Sequence, residues 1–195
     1  MFDDIIPFEP IHFFQLQVDI SKEPVLLPFF GEEELGKVYM GWEKEGITLR
    51  FSLNRLFDAP EFPEYLSGDA VEIFLDTRDV KSQTLTRYCH HFFVLPERVD
   101  TVQAGEVTRF REEEKRELAD PNLLKIHSSK VKGKRVLEIF LPSQSLYGYD
   151  PSQFGRLGFT YRIQAQDGKM QYFSASPDDF RIEQTPSLWA SINLR

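Results

Sequence analysis

A chain of 195 residues is long enough to bury one large core and short enough that a single domain is expected. With 23 Lys and Arg against 31 Asp and Glu the formal charge is −8, which works against a broad footprint on nucleic acid or on an anionic membrane surface. The single cysteine, Cys89, excludes an intrachain disulfide, so a bridge-stapled extracellular scaffold is ruled out and a reducing compartment, the cytoplasm, is expected.

The first ten residues, MFDDIIPFEP, contain no Lys or Arg and no apolar run of the kind a secretory signal needs, so no leader is expected. No segment approaches the ~20 apolar residues of a membrane-spanning helix. Eighteen Phe and seven Tyr favour strands, because aromatic rings fit pleated, half-buried surfaces. Residues 11–20, IHFFQLQVDI, alternate at Phe14, Leu16 and Val18 and predict a first strand. Residues 37–42 and 47–53 alternate on either side of the tetrad 43–46 and predict a hairpin. Pro60 and Pro63 make residues 55–67 a loop. Two strands follow, 68–79 (GDAVEIFLDTRD) and 86–95 (TRYCHHFFVL), joined by a polar loop over 77–86. The alternation then stops until Leu123. Within that gap, residues 109–118 (RFREEEKREL) have the composition of an exposed helix with a Glu112–Arg116 pair, ended by Asp120-Pro121, so residues 97–122 read as a charged insertion. Residues 124–131 and 135–141 flank Lys132-Gly133-Lys134 as a hairpin, 157–166 and 170–173 flank Asp167-Gly168 as another, and 189–194 close the chain as a strand. Nine or ten strands and one short inserted helix describe an all-β, antiparallel sandwich in one domain.

Five stretches also occur in the order of a known family: residues 38–51 (VYMGWEKEGITLRF), 68–76 (GDAVEIFLD), 135–146 (RVLEIFLPSQSL), 158–167 and 189–194. On these the chain resembles a family 9 carbohydrate-binding module, within the wider DOMON-like group of β-sandwiches. Residues 1–35 match weakly. The resemblance implies a pocket that grips a terminal sugar between two tryptophans, yet the first falls at Leu66, beside Tyr65, and the second near Glu183, where the nearest aromatic is Phe180. Trp42 corresponds to the family's core tryptophan, and Trp189 falls in the last strand. The clamp is thus absent or rebuilt. The family's sugar-bonding glutamate corresponds to Glu72, its facing glutamine to Arg162, and an arginine to Phe93. Alternation puts Glu72 and Asp76 opposite Val71, Ile73 and Leu75, on a face shared with His91 and Arg162. The resulting expectation is a site for a carbohydrate or similar polar small molecule, made by Glu72, His91 and Arg162 with an aromatic wall of Tyr65 and Phe93. The competing interpretation of the same residues is a Glu72–Arg162 ion pair with no ligand.

Other chemistries are weighed against this site. Cys89, His90 and His91 suggest a nucleophile and base, but neighbours on a strand point to opposite faces and no third orienting group lies in the motif. Asp76, Asp79 and a histidine match no zinc or EF-hand spacing, so no metal is expected. Met40 or Met170 with His91 are the pair a haem-binding DOMON-like domain would need, although Met40 shares an apolar face with Val38 and Trp42. No phosphate loop, nucleophile elbow or catalytic carboxylate pair is present, so neither an enzyme nor a cofactor is expected. A protein-interaction or structural sandwich that has lost sugar binding is the second functional reading, and haem binding the third. Finally, Arg87 is expected to pair with Asp76 or Asp79 and close the base of the 77–86 loop at the rim of the sandwich.

Overall fold

Most of the alternating segments become strands, and their inward residues meet between two sheets. The structure is a computed structural model and describes residues 16–29, 33–174 and 181–195. In chain order the first seven strands are β1 (Gln17–Ile20), β2 (Val25–Leu26), β3 (Gly36–Glu43), β4 (Gly46–Leu53), β5 (Ala70–Asp76), β6 (Cys89–Val99) and β7 (Val102–Glu106). Five more follow: β8 (Lys125–Val131), β9 (Lys134–Pro142), β10 (Arg156–Gln164), β11 (Met170–Tyr172) and β12 (Ala190–Leu194). The larger sheet has the order β1-β12-β10-β5-β6-β7, with β11 beside β10, and the smaller the order β2-β3-β4-β9-β8. Pairings are antiparallel except that of β1 with β12. The β8–β9 turn at Lys132-Gly133 holds both residues at positive φ, 48° and 77°, the twist that a two-residue hairpin needs.

Val71, Ile73 and Leu75 of β5 enter the core against Leu49, Phe51 and Ile139 of the smaller sheet. Tyr161 of β10 meets Phe51 edge to face, with ring centres 5.8 Å apart. A buried amide fastens the sheets to each other. Gln171 of β11 accepts from the backbone N–H groups of Leu35 (2.7 Å) and Gly36 (3.0 Å) through Oε1, and donates to Gly36 O (2.8 Å) and Tyr161 Oη (3.0 Å) through Nε2.

Two strands exceed the ten read from the sequence. One is the two-residue β2. The other is β7, whose VQAGE sequence lacks the alternation that would reveal it. A helix over residues 109–118 is not what forms: a 3-10 turn at Glu112–Glu114 is the helical part, and the rest is irregular. The expected Glu112–Arg116 pair gives way to a buried partner for Arg116, described below. The first strand starts at Gln17, and residues 11–15 of the expected strand lie outside the described residues, as does Phe180. No helix among the described residues is long and apolar enough to cross a membrane.

Truncating Gln171 to Ala leaves two N–H groups and a carbonyl unpaired between the sheets. At roughly 1–3 kcal/mol for each stranded group, we expect a loss of about 3 kcal/mol or more in urea unfolding, whereas Gln164→Ala, half-exposed on the same hairpin, costs little.

Candidate functional site

Strand register builds the candidate site. On the outer face of the larger sheet, Arg162 of β10, Glu72 of β5 and Phe93 of β6 form one cross-strand row, and Thr160, Phe74 and His91 the next. The five residues expected from the sequence come together here. Glu72 is fully buried, 0% exposed. One of its oxygens accepts from His91 Nε2 at 2.8 Å and from the Tyr65 hydroxyl at 3.3 Å, and the other accepts from Arg162 Nε. Burial alone would raise the Glu72 carboxyl. The His91 hydrogen bond and the charge of Arg162 outweigh burial and hold it below the ordinary carboxylate range. Arg162 is raised: burial alone would lower it, and the Glu72 charge and hydrogen bond overcome that, with Glu183 adding to the field. Burial, then the Glu72 charge, pushes the Tyr65 phenol up.

The aromatic wall stacks beside this cluster. Tyr65 lies on Phe93 with ring centres 4.9 Å apart, and Phe62 lies on Phe93 at 5.7 Å. Phe62 was not foreseen; it sits in the proline-broken loop before β5, where periodicity carries no information. A Cβ on Gly105 of β7, the cross-strand partner of Phe93, would come within 3.0 Å of the Phe93 ring, so the glycine gives that ring its place. Phe62 is 40% exposed and Leu66, at the first clamp position, 47%. Neither tryptophan stands at the rim. Trp42 donates to Ile20 O and Arg195 O, each at 3.2 Å, at the margin of the core. Trp189 is buried against Phe74 and donates to Ile182 O at 2.7 Å.

The expected closure of the 77–86 loop by Arg87 is not observed. Arg87 Nε lies 3.4 Å from Glu114 of the insertion, and its backbone N–H donates to the same carboxylate at 2.8 Å. Asp76 needs no cation: its two oxygens accept the backbone N–H groups of Arg78 and Val80, each at 2.9 Å, and so turn the chain by themselves. Burial nonetheless raises its carboxyl. Asp79 is taken by Lys81 (2.8 Å), Arg156 (2.7 Å) and the Ser191 hydroxyl (2.6 Å). The loop then packs on the sheet through Leu85, which joins Phe74, Cys89, Ile182 and Trp189 in a second apolar cluster.

A buried network on the opposite face was not anticipated. Glu106 of β7 receives Arg116 Nη2 at 2.6 Å, Arg116 Nη1 at 3.1 Å, the Thr108 hydroxyl at 2.7 Å and the Ala119 N–H at 2.6 Å. His90 Nδ1 stands 3.0 Å from Glu106 and 2.8 Å from Arg116 Nη2. A neutral ring protonated at Nδ1 donates to the carboxylate; protonated at Nε2, it instead accepts from the guanidinium and faces Tyr147 O at 3.5 Å. Burial would raise Glu106, but hydrogen bonds from His90 and Arg116 hold it down at about 2, and burial lowers His90.

Cys89 is buried, and burial with the Asp76 charge pushes its thiol up to about 12, opposite to what a nucleophile needs. The haem pairings fail on geometry. Met40 faces the core between the sheets while His91 lies on the outer face, and His91 Nε2 is already given to Glu72. Met170 belongs to the Gln164 row, beyond Arg162. Among the described residues no group of three or more His, Cys, Asp or Glu side chains is arranged to hold a metal ion.

The fold is similar to that of a carbohydrate binding module family 9 (CBM9) from Caldicellulosiruptor kristjanssonii in complex with cellotriose. The TM-score is 0.66 and the identity 13%, over 92% of this chain and 93% of that one. A second CBM9 structure from the same organism, in complex with glucose, gives a TM-score of 0.63 and 12% identity over 92% and 95%. No protein-family model matches the sequence, and no curated protein matches it.

Two outcomes follow from the buried carboxylates. Glu72→Ala leaves Arg162 and His91 without their partner, and a loss of about 3–5 kcal/mol in urea unfolding is expected, while Arg87→Ala, on the surface, leaves the melting temperature almost unchanged. Glu106 is depressed in the folded state from 4.5 to about 2, so its contribution is present above pH 4.5 and is lost as the pH falls towards 2. On the order of 3 kcal/mol of stability should disappear across that window, and Glu106→Gln should flatten that part of the stability–pH curve.

Proposed function

We propose that this chain, which has a CBM9-like fold, is a non-catalytic binding module for a carbohydrate or a similar polar small molecule. The observation that carries the reading is the cluster of Tyr65, Glu72, His91, Phe93 and Arg162 on the outer face of the larger sheet, with exposed Phe62 and Leu66 at its margin. Glu72 is too buried to touch a ligand and works as the anchor that fixes Arg162, His91 and Tyr65. Arg162 gives its Nε to Glu72, so its terminal N–H groups are the donors that a sugar hydroxyl would meet. Phe62 offers the flat face on which a pyranose ring stacks. The sugars named with the two similar modules, cellotriose and glucose, set the first ligands to try.

One observation favours a second reading, a protein-interaction or structural sandwich. The Glu72 carboxylate accepts from three side chains of the same molecule and is 0% exposed, so the group that resembles the sugar-bonding glutamate of the family is already engaged within the chain and out of a ligand's reach.

Calorimetric titration with glucose, cellotriose and a panel of neutral oligosaccharides separates the two. Under the first reading at least one sugar gives heat, and Phe62→Ala weakens it by about tenfold, roughly 1.4 kcal/mol, without moving the melting temperature. Silence across the panel would count against the Glu72-centred site as a sugar site and favour the second.

A further inference from the structure

The free edges of the two sheets run side by side along β7 and β8, and a groove of about 770 Å³ lies between them, away from the Glu72 cluster. Leu124 and Ile126 contribute apolar surface, and Phe140, beside Lys125 on the outer face of the smaller sheet, a ring. Its charged lining is net positive. Arg98 from β6 and Lys125 from β8 stand against one acid, Glu138 of β9, with the imidazole of His127 beside them. Register sets Glu138 between Arg50 and His127, so one cross-strand neighbour of the acid is a guanidinium. Glu97, next to Arg98 in the chain, is already taken by Lys130 and Arg135. Among the described residues Arg98 reaches the neutral side chain of Gln103, at 3.4 Å, and no acid, and Lys125 stands 5.4 Å from the centre of the Phe140 ring. Two cations without an ion pair among the described residues, against one acid, make this groove locally positive in a chain of formal charge −8, a surface suited to an anion.

We propose that this groove binds an anionic oligosaccharide, one whose sugar rings carry carboxylates. The proposal rests on the carbohydrate-binding reading above and adds a site of different chemistry. A volume of this size holds a ligand of several rings. Phe140 suits the C–H face of a pyranose, Gln103 and Asn122 can serve its hydroxyls, and Arg98 and Lys125 match carboxylates spaced along the chain of sugars. An added peptide strand fits less well. The 3-10 turn at Pro121–Leu123 packs against β7, and the β8 edge carries Lys125, His127 and Lys130, the kind of charged edge that resists strand pairing.

The test is calorimetric titration of the whole chain with trigalacturonate, with cellotriose and with an acidic peptide of equal charge. The parent chain is compared with the double variant Arg98→Glu, Lys125→Glu, whose melting temperature is checked in parallel; both substituted side chains are exposed. Trigalacturonate is expected to bind the parent, more weakly as salt rises, and to lose about tenfold or more in affinity in the variant, while the response to cellotriose is the same in both. No heat from trigalacturonate, equal affinity for the folded variant, or tighter binding of the acidic peptide would each overturn the proposal. If cellotriose binds and trigalacturonate does not, the groove fails alone. If trigalacturonate binds through Arg98 and Lys125 while neutral sugars stay silent, the groove stands and the Glu72-centred site falls.

Discussion

A carboxylate with no exposed surface, in the middle of a seven-stranded sheet, constrains everything around it. Removing Glu72 from water would cost several kcal/mol if it stood alone, so its surroundings must supply donors on both oxygens. They come from three parts of the chain. His91 is on the neighbouring strand, Arg162 on the strand at the other side, and Tyr65 in the loop that leads into β5. Each is thereby held in one rotamer, and the stacked rings of Tyr65, Phe93 and Phe62 are placed by the same constraint. A surface made in this way is preorganised, which under the proposed function lowers the cost of ordering it around a ligand.

Strand β6 repeats the device on its other face. Adjacent residues point to opposite sides of a sheet, so His91 faces Glu72 while His90 faces Glu106. The second carboxylate draws Arg116 out of solvent and takes the Ala119 N–H as well, which pins residues 107–119 to the end of the sheet. The insertion is thus anchored by one buried acid, and its remaining charges are left at the surface. Arg87 belongs to the same arrangement: its backbone and side chain meet Glu114, and its carbonyl accepts from Arg116.

How much of this was legible depends on the range of the interaction. Period-two alternation in GDAVEIFLD was enough to put Glu72 opposite Val71 and Ile73, and to group it with His91 and Arg162 once three neighbouring strands were recognised. Hairpins marked by Lys132-Gly133 and Asp167-Gly168 were legible because turn chemistry is local. β7 was hidden because its VQAGE contains a glycine whose purpose, room for Phe93, exists only after pairing. Arg116 and Glu106 were hidden because a charge that ends up buried has the same composition as one that stays in water. Arg87 was assigned to the acids nearest in sequence, whereas its partner lies 27 residues away.

The position of β12 also bears on how the chain reaches this structure during synthesis. β5 and β6 are sequential and can pair early, but Arg162, 90 residues beyond Glu72, is missing until β10 emerges. β12 then has to enter between β1 and β10 before the larger sheet is continuous, and the Gln171 link to Leu35 closes over 136 positions. Contacts of such separation form slowly, and while they are awaited strand edges stand open to other chains. The emerging β5–β6 hairpin carries an unneutralised Glu72 during that interval, a charge that keeps it hydrated and unsuited to stacking on a second copy.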